Sequence, residues 1–100
     1  MNENEFPALS GVEYLIMELL EENGEMFGLE MVQQSEGELK KGTIYVTLGR
    51  MADKGLVTSW TESESTEPGG SRRIYQATDY GERVFKAQGI ALKYLNMGAW

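Results

Sequence analysis

Lys40-Lys41-Gly42-Thr43-Ile44-Tyr45-Val46-Thr47-Leu48-Gly49-Arg50-Met51-Ala52-Asp53-Lys54-Gly55-Leu56-Val57 is the stretch on which the reading of this chain turns. At about 100° per residue, Ile44, Leu48, Met51 and Ala52 share one helical face. Thr43, Thr47, Arg50 and Lys54 form a second stripe beside it. The first stripe docks a helix on a core. The second presents hydroxyls and long cations outward, as a helix lying in a DNA groove must. Gly55 stops the helix, and Leu56-Val57-Thr58-Ser59-Trp60 begins a strand. Helix, glycine stop, strand, loop, strand is the order of a winged helix-turn-helix.

Upstream, Ser10-Gly11-Val12-Glu13 predicts a capping box, with Leu9 and Tyr14 placed for a hydrophobic staple across it. The helix that follows runs to Asn23-Gly24 and is expected to bury Val12, Leu15, Ile16, Leu19 and Leu20. Its other face carries Glu18 and Glu21, but also Tyr14 and Met17, two apolar residues that a second subunit would cover. Met26 to Gln34 reads as a short second helix with Leu29 and Val32 on its apolar side, and Ser35-Glu36-Gly37-Glu38 as a turn. Two short helices joined by a glycine-containing turn make a helix-turn-helix.

Downstream, Leu56–Glu62 and Arg72–Ala77 are expected strands, with Trp60 and Tyr75 packing across them or against the helices. The serine, proline and glycine of residues 63–71 make the loop between them, the tip of a wing with Arg72-Arg73 at its exit. Thr78 caps a last helix from Asp79 to Met97. Its apolar residues (Val84, Phe85, Ala87, Ile90, Ala91, Leu92, Tyr94, Leu95 and Met97) spread over about two-thirds of the circumference. One small domain covers one side of such a helix, and Gly89 leaves room for another helix to approach. A homodimer is expected, with Tyr14, Met17, Val84, Ala91, Leu92, Tyr94 and Leu95 in its interface. The fold class is mainly α with a small β-hairpin wing: a winged helix-turn-helix over residues 1–78 and a C-terminal dimerisation helix over residues 79–100, as one compact unit.

The chain has 100 residues, enough for one domain. It contains no cysteine and no histidine, so it lacks disulfides, thiolates and the commonest general base and metal ligand. With no cluster of carboxylates beside a base, neither an enzyme nor a metal or cofactor site is expected. No run approaches the ~18 apolar residues of a membrane span. Met1-Asn2-Glu3-Asn4-Glu5 has neither the basic start nor the apolar run of a signal peptide, so a cytoplasmic protein is expected. The net charge is −7, but it is unevenly placed. Residues 1–38 hold ten acids and no base, while residues 39–100 hold nine bases and six acids. Segregation of this kind puts Lys40, Lys41, Arg50, Lys54, Arg72 and Arg73 in one half, where they can meet phosphates.

Thr43, Tyr45, Thr47 and Arg50 are the residues expected near base edges or adjacent phosphates. Lys40, Lys41, Lys54, Arg72 and Arg73 are expected on phosphates or in the minor groove. Two of these have a structural alternative: Tyr45 lies beside Ala52 and packs partly inside, or Arg50 pairs with Asp53 or Glu30. The net acidity and the wing acids Glu62, Glu64 and Glu67 support a different function, an acidic winged-helix module for protein–protein contact within a larger assembly.

Taken together, these residues resemble the PadR family of bacterial transcription regulators, from about Leu9 to Phe85. The densest match is Gly42-Thr43-Ile44-Tyr45-Val46-Thr47-Leu48-Gly49-Arg50-Met51 followed by Lys54-Gly55-Leu56-Val57, where the family usually reads Gly-Thr-Ile-Tyr-Pro-x-Leu-x-Arg-Leu and then Gly-Leu-Val. Further matches are Gly70-Ser71-Arg72-Arg73-Ile74-Tyr75-Gln76-Ala77-Thr78 with Gly81, and Phe27-Gly28-Leu29-Glu30. Val46 stands where proline is common, Leu29 and Ile74 where aromatics are common, and Ala77 where leucine is common. The resemblance implies a winged-helix repressor that binds a pseudo-palindromic double-stranded operator as a homodimer, in the smaller subtype with one C-terminal dimerisation helix. Some members bind aromatic or cationic effectors near the dimer centre. Tyr14, Met17, Tyr94 and Trp100 could line such a site, or be ordinary dimer core and surface, and no residue establishes an effector.

Overall fold

A computed structural model describes residues 8–62 and 72–97, with side chains as far as Leu95. The wing tip (63–71), the amino-terminal residues 1–7, the side chain of Met97 and Trp100 lie outside the described residues. The elements are α1 (Gly11–Asn23), β1 (Glu25–Phe27), α2 (Gly28–Gln34), α3 (Ile44–Asp53), β2 (Val57–Glu62), β3 (Arg72–Ala77) and α4 (Asp79–Met97).

The capping box at the start of α1 is formed: Glu13 N–H donates to Ser10 Oγ at 3.1 Å, and Ser10 N–H donates to Glu13 Oε1 at 2.9 Å. These bonds satisfy two amides that a helix start otherwise leaves without partners. Ile16, Met17, Leu19 and Leu20 turn inward. Two details of the expected pattern change. Val12 is 43% exposed, whereas Met17 is 1% exposed. The inward face of α1 is rotated toward Met17 because α4 packs along that side, as the position of Gly81 shows: a Cβ there would stand 3.1 Å from Met17 Cε.

The second helix begins two residues later than the sequence pattern predicts. Glu25-Met26-Phe27 pairs antiparallel with β3, setting Met26 opposite Tyr75 and Phe27 opposite Ile74. Met26 is thereby buried in the core as a strand residue. Phe27 N–H donates to Glu30 Oε1 at 2.8 Å, and α2 starts at Gly28. Its inward residue is Met31, with Val32 half-buried; Leu29, expected inside, is exposed.

The sheet has the order β1-β3-β2, all antiparallel. Strand alternation gives it two faces. Met26, Val57, Tyr75 and Ala77 face the helices; Phe27, Trp60 and Ile74 line up on the other side. Ile44, Leu48 and Met51 of α3 complete the core with Leu39, Leu56 and Val84, while Ala52, expected with them, is exposed. Gly55 adopts φ 78 and ends α3, a conformation that favours glycine. Thr78 caps α4, its Oγ1 accepting Gly81 N–H at 2.9 Å. Among the described residues no helix is long and apolar enough to cross a membrane.

Candidate nucleic-acid interface

The turn between α2 and α3 is fixed from within. Ser35 is buried; its hydroxyl donates to Val32 O at 2.8 Å and accepts Leu39 N–H at 2.9 Å. Leu39 is thereby drawn into the core, and Lys40 and Lys41 are left exposed at the approach to α3. With Ile44, Leu48 and Met51 buried, the outward side of α3 carries Thr43, Val46, Gly49, Arg50 and Asp53, all exposed. Val46 is 57% exposed and Gly49 faces open space. Thr47 is half-buried at the margin, its hydroxyl donating to Thr43 O at 3.2 Å. The cation-and-hydroxyl stripe expected from the sequence is therefore one edge of a broader surface. Val46 and Gly49 lie nearer its middle, a signal available in their position opposite Ile44, Leu48 and Met51.

Tyr45 packs partly inside and is partly exposed. It is 49% exposed, with one side of its ring against Gly28. A Cβ at Gly28 would stand 2.7 Å from Tyr45 Cε1, so glycine there permits the crossing of α2 and α3. Tyr45, Phe27, Leu29, Glu30, Gln33, Arg72, Arg73 and Tyr75 surround an open cleft of about 750 Å³ between the two helices and the base of the wing. The Arg72 guanidinium lies over the Phe27 ring, 5.1 Å from its centroid. Arg73 Nη1 donates to Ser59 Oγ at 3.0 Å. Burial pushes the Tyr75 phenol above its usual range, with Tyr45 acting in the same direction and the Arg73 charge acting against it. The cleft thus offers two guanidiniums and two tyrosine side chains beside the Glu30 carboxylate, and its arginine side suits an anionic backbone.

Lys54, its side chain 56% exposed, is tied back to α1. Its Nζ lies 2.8 Å from Glu13 Oε2, forming an ion pair with a carboxylate that is almost wholly buried. Burial alone would raise the Glu13 carboxyl, but the Lys54 ammonium and the Ser10 hydrogen bonds outweigh it and hold the group below 4.5. Arg50 forms no ion pair with Asp53 or Glu30 in the described structure, where the ion pair seen is Glu13–Lys54.

On the far side, α4 displays Ile90, Leu92, Tyr94 and Leu95 at 56, 42, 69 and 71% exposure, with Ala91 also exposed. Val84 does not belong to this surface: it is 5% exposed and packed into the core of its own chain. Met17 is excluded from it for the same reason. Tyr14 is half-buried against Phe85, ring centroids 4.9 Å apart, and its hydroxyl reaches toward Gly89. The room left by Gly89 is thus taken by Tyr14 of α1.

The sequence pattern of the transcriptional regulator PadR-like family matches residues 16–87. The chain belongs to that family. It is similar to a PadR family transcription regulator from Clostridium difficile R20291, with 27% identity over 88% of this chain and 93% of the other and a TM-score of 0.75. Bacillus subtilis PadR, solved in complex with operator DNA, is 26% identical over 80% of this chain and 47% of its own, with a TM-score of 0.70. A PadR family regulator from Eggerthella lenta shares the fold at 22% identity, over 87% of this chain and 76% of the other, with a TM-score of 0.72. No curated protein matches the chain. As a PadR-like chain, this is a transcriptional regulator with a DNA-binding winged helix, and its relatives are regulators rather than enzymes.

Proposed function

We propose that this PadR-like regulator acts in the cytoplasm as a homodimeric repressor that binds a pseudo-palindromic operator. The observation that carries the reading is the outward surface of α3, where Thr43, Val46, Gly49 and Arg50 are all exposed above a buried Ile44-Leu48-Met51 seam. In this reading Arg50, Thr43 and Thr47 read base edges and Val46 meets a thymine methyl. Lys40, Lys41, Arg72 and Arg73 hold phosphates, with Tyr45 beside them at the cleft. The similarity to Bacillus subtilis PadR, itself solved on operator DNA, supports this placement.

The C-terminal part, residues 79–100, serves as the dimerisation unit. Ile90, Ala91, Leu92, Tyr94 and Leu95 supply its contact surface, an apolar strip too extensive for a solvent face. Tyr14 supports α4 from below.

Fluorescence anisotropy with operator-length and random duplexes tests the proposal. The logarithm of the binding constant is expected to fall linearly with log salt, with a slope of about −0.9 per phosphate neutralised. An affinity that ignores salt, or no binding to any duplex at low salt, would instead favour the acidic protein-contact module.

A further inference from the structure

Glu13 completes the cap of α1, but it is also a buried charged residue. The other acids of α1, Glu18, Glu21 and Glu22, are exposed, whereas Glu13 is 6% exposed. Burying a carboxylate is costly unless it is paired and hydrogen-bonded. Its Oε1 completes the cap of α1 through Ser10 N–H, and its Oε2 goes to Lys54 Nζ at 2.8 Å, 41 residues away at the end of α3. The cap itself does not require that second bond.

The residue before the cap is held just as deliberately. Leu9 N–H donates to Gln88 Oε1 at 2.6 Å, and Leu9 O accepts from Gln88 Nε2 at 3.1 Å. Polar contacts therefore run from Gln88 in the middle of α4, through Leu9, Ser10 and Glu13, to Lys54 at the C-terminal cap of α3. A second tie joins the same two helices at the start of α4. Thr78 Oγ1 donates to Gly55 O at 2.6 Å, and Thr78 N–H donates to Leu56 O at 3.0 Å. The end of α3 is thus held to α4 at two separated points, and two points fix an angle where one leaves a hinge.

We propose that Glu13 is a positioning residue: through Lys54 and Gln88 it sets the angle at which α3 is presented relative to α4. The proposal rests on the reading of α3 as the DNA-facing helix and α4 as the dimer helix. In a two-fold dimer α4 fixes where the two copies of α3 stand, and half-sites about one helical turn apart leave little room for a loose joint. Lys54, which the sequence assigns to phosphate, acts on DNA through Glu13.

The test uses the full chain with Glu13→Gln, which keeps an acceptor for Ser10; Lys54→Met, which keeps the stem; and Gln88→Met, which keeps the helix. Each single variant is expected to weaken operator binding about fivefold, at the low end of typical coupling between sites, while random-duplex affinity and its salt slope stay as they were. The Glu13→Gln/Lys54→Met double variant is expected to be no worse than either single one, and Lys54→Arg to restore the wild-type value. Independently of DNA, Gln88→Met is expected to shift the amide resonances of Lys54 and Gly55. Additive losses, with a salt slope lowered by about one charge per subunit, would make Lys54 a phosphate ligand and overturn the proposal. If the wild-type chain binds no duplex, the DNA reading fails on its own account. The amide shifts still decide the joint: unmoved resonances on α3 overturn it, and moved ones sustain it. Should Glu13→Gln fail to fold, Lys54→Met and Gln88→Met carry the same comparison from surface-accessible positions.

Discussion

Leu95→Asp separates the roles of the two faces of α4. Leu95 is 71% exposed in the single chain, so the change removes little packing there, and fold stability should move by no more than about 0.5 kcal/mol. In the proposed dimer the side chain is covered. Full burial of a leucine side chain is worth about 1.5–3 kcal/mol; with 71% still to be buried, about 1–2 kcal/mol per subunit is at stake. A two-fold interface counts the loss twice, giving about 2–4 kcal/mol per dimer, or a dimer dissociation constant raised about 30- to 700-fold. The introduced carboxylate adds to this, because it must be dehydrated to stay in the interface. Sedimentation equilibrium over a concentration series measures the constant directly, and circular dichroism confirms that the helices persist. An unchanged dissociation constant in a folded Leu95→Asp chain would refute the assignment of α4 to the dimer. Loss of the fold itself would refute the claim that this face is free in the single chain.

Other expectations concern the DNA face and the core. Arg50→Ala and Thr47→Ala should lower operator affinity by about tenfold, since a base contact is worth about 1–3 kcal/mol of discrimination; gel shifts against operator and random duplex should show the loss on the operator alone. Arg72→Ala and Arg73→Ala should weaken both duplexes equally and flatten the salt slope by about one charge per arginine per subunit. Gly28→Ala should displace the Tyr45 ring, because the new Cβ would stand 2.7 Å from Cε1; the aromatic proton resonances of Tyr45 report whether it moves. Glu13 is held below its ordinary pKa of 4.5. Its contribution to stability is therefore present above the unfolded value and is lost as pH falls through the folded one. Urea melts of Glu13→Gln should show lower stability at neutral pH and a shallower acid decline below about pH 5 than the wild type.

Much of this arrangement was legible in the residue order. The capping box at Ser10–Glu13, the glycine stop at Gly55, both longer strands and the span of α4 follow from local patterns whose partners lie within a few residues. What escaped depends on distant partners. Glu25-Met26-Phe27 has no strand signature of its own and becomes a strand because β3, some fifty positions on, offers an edge. Met17 and Val84 have the composition of interface residues, and only the packing of α1 against α4 shows that they belong to the interior. Lys54 sits in a cationic stripe by sequence, yet Glu13 captures it from 41 residues away. At the candidate site, exposure of Thr43 and Arg50 followed from helical spacing. The centrality of Val46 and Gly49 required knowing which way α3 is turned.

Whether this chain reads DNA sequence through α3 is decided by selecting duplexes from a random pool with the purified protein. The selected duplex and a scrambled one of equal composition are then compared at physiological salt. The expected result is a consensus with two related half-sites about 10 base pairs apart and an affinity ratio of at least about a thousand. No consensus, or equal affinity for the selected and scrambled duplexes, would contradict it.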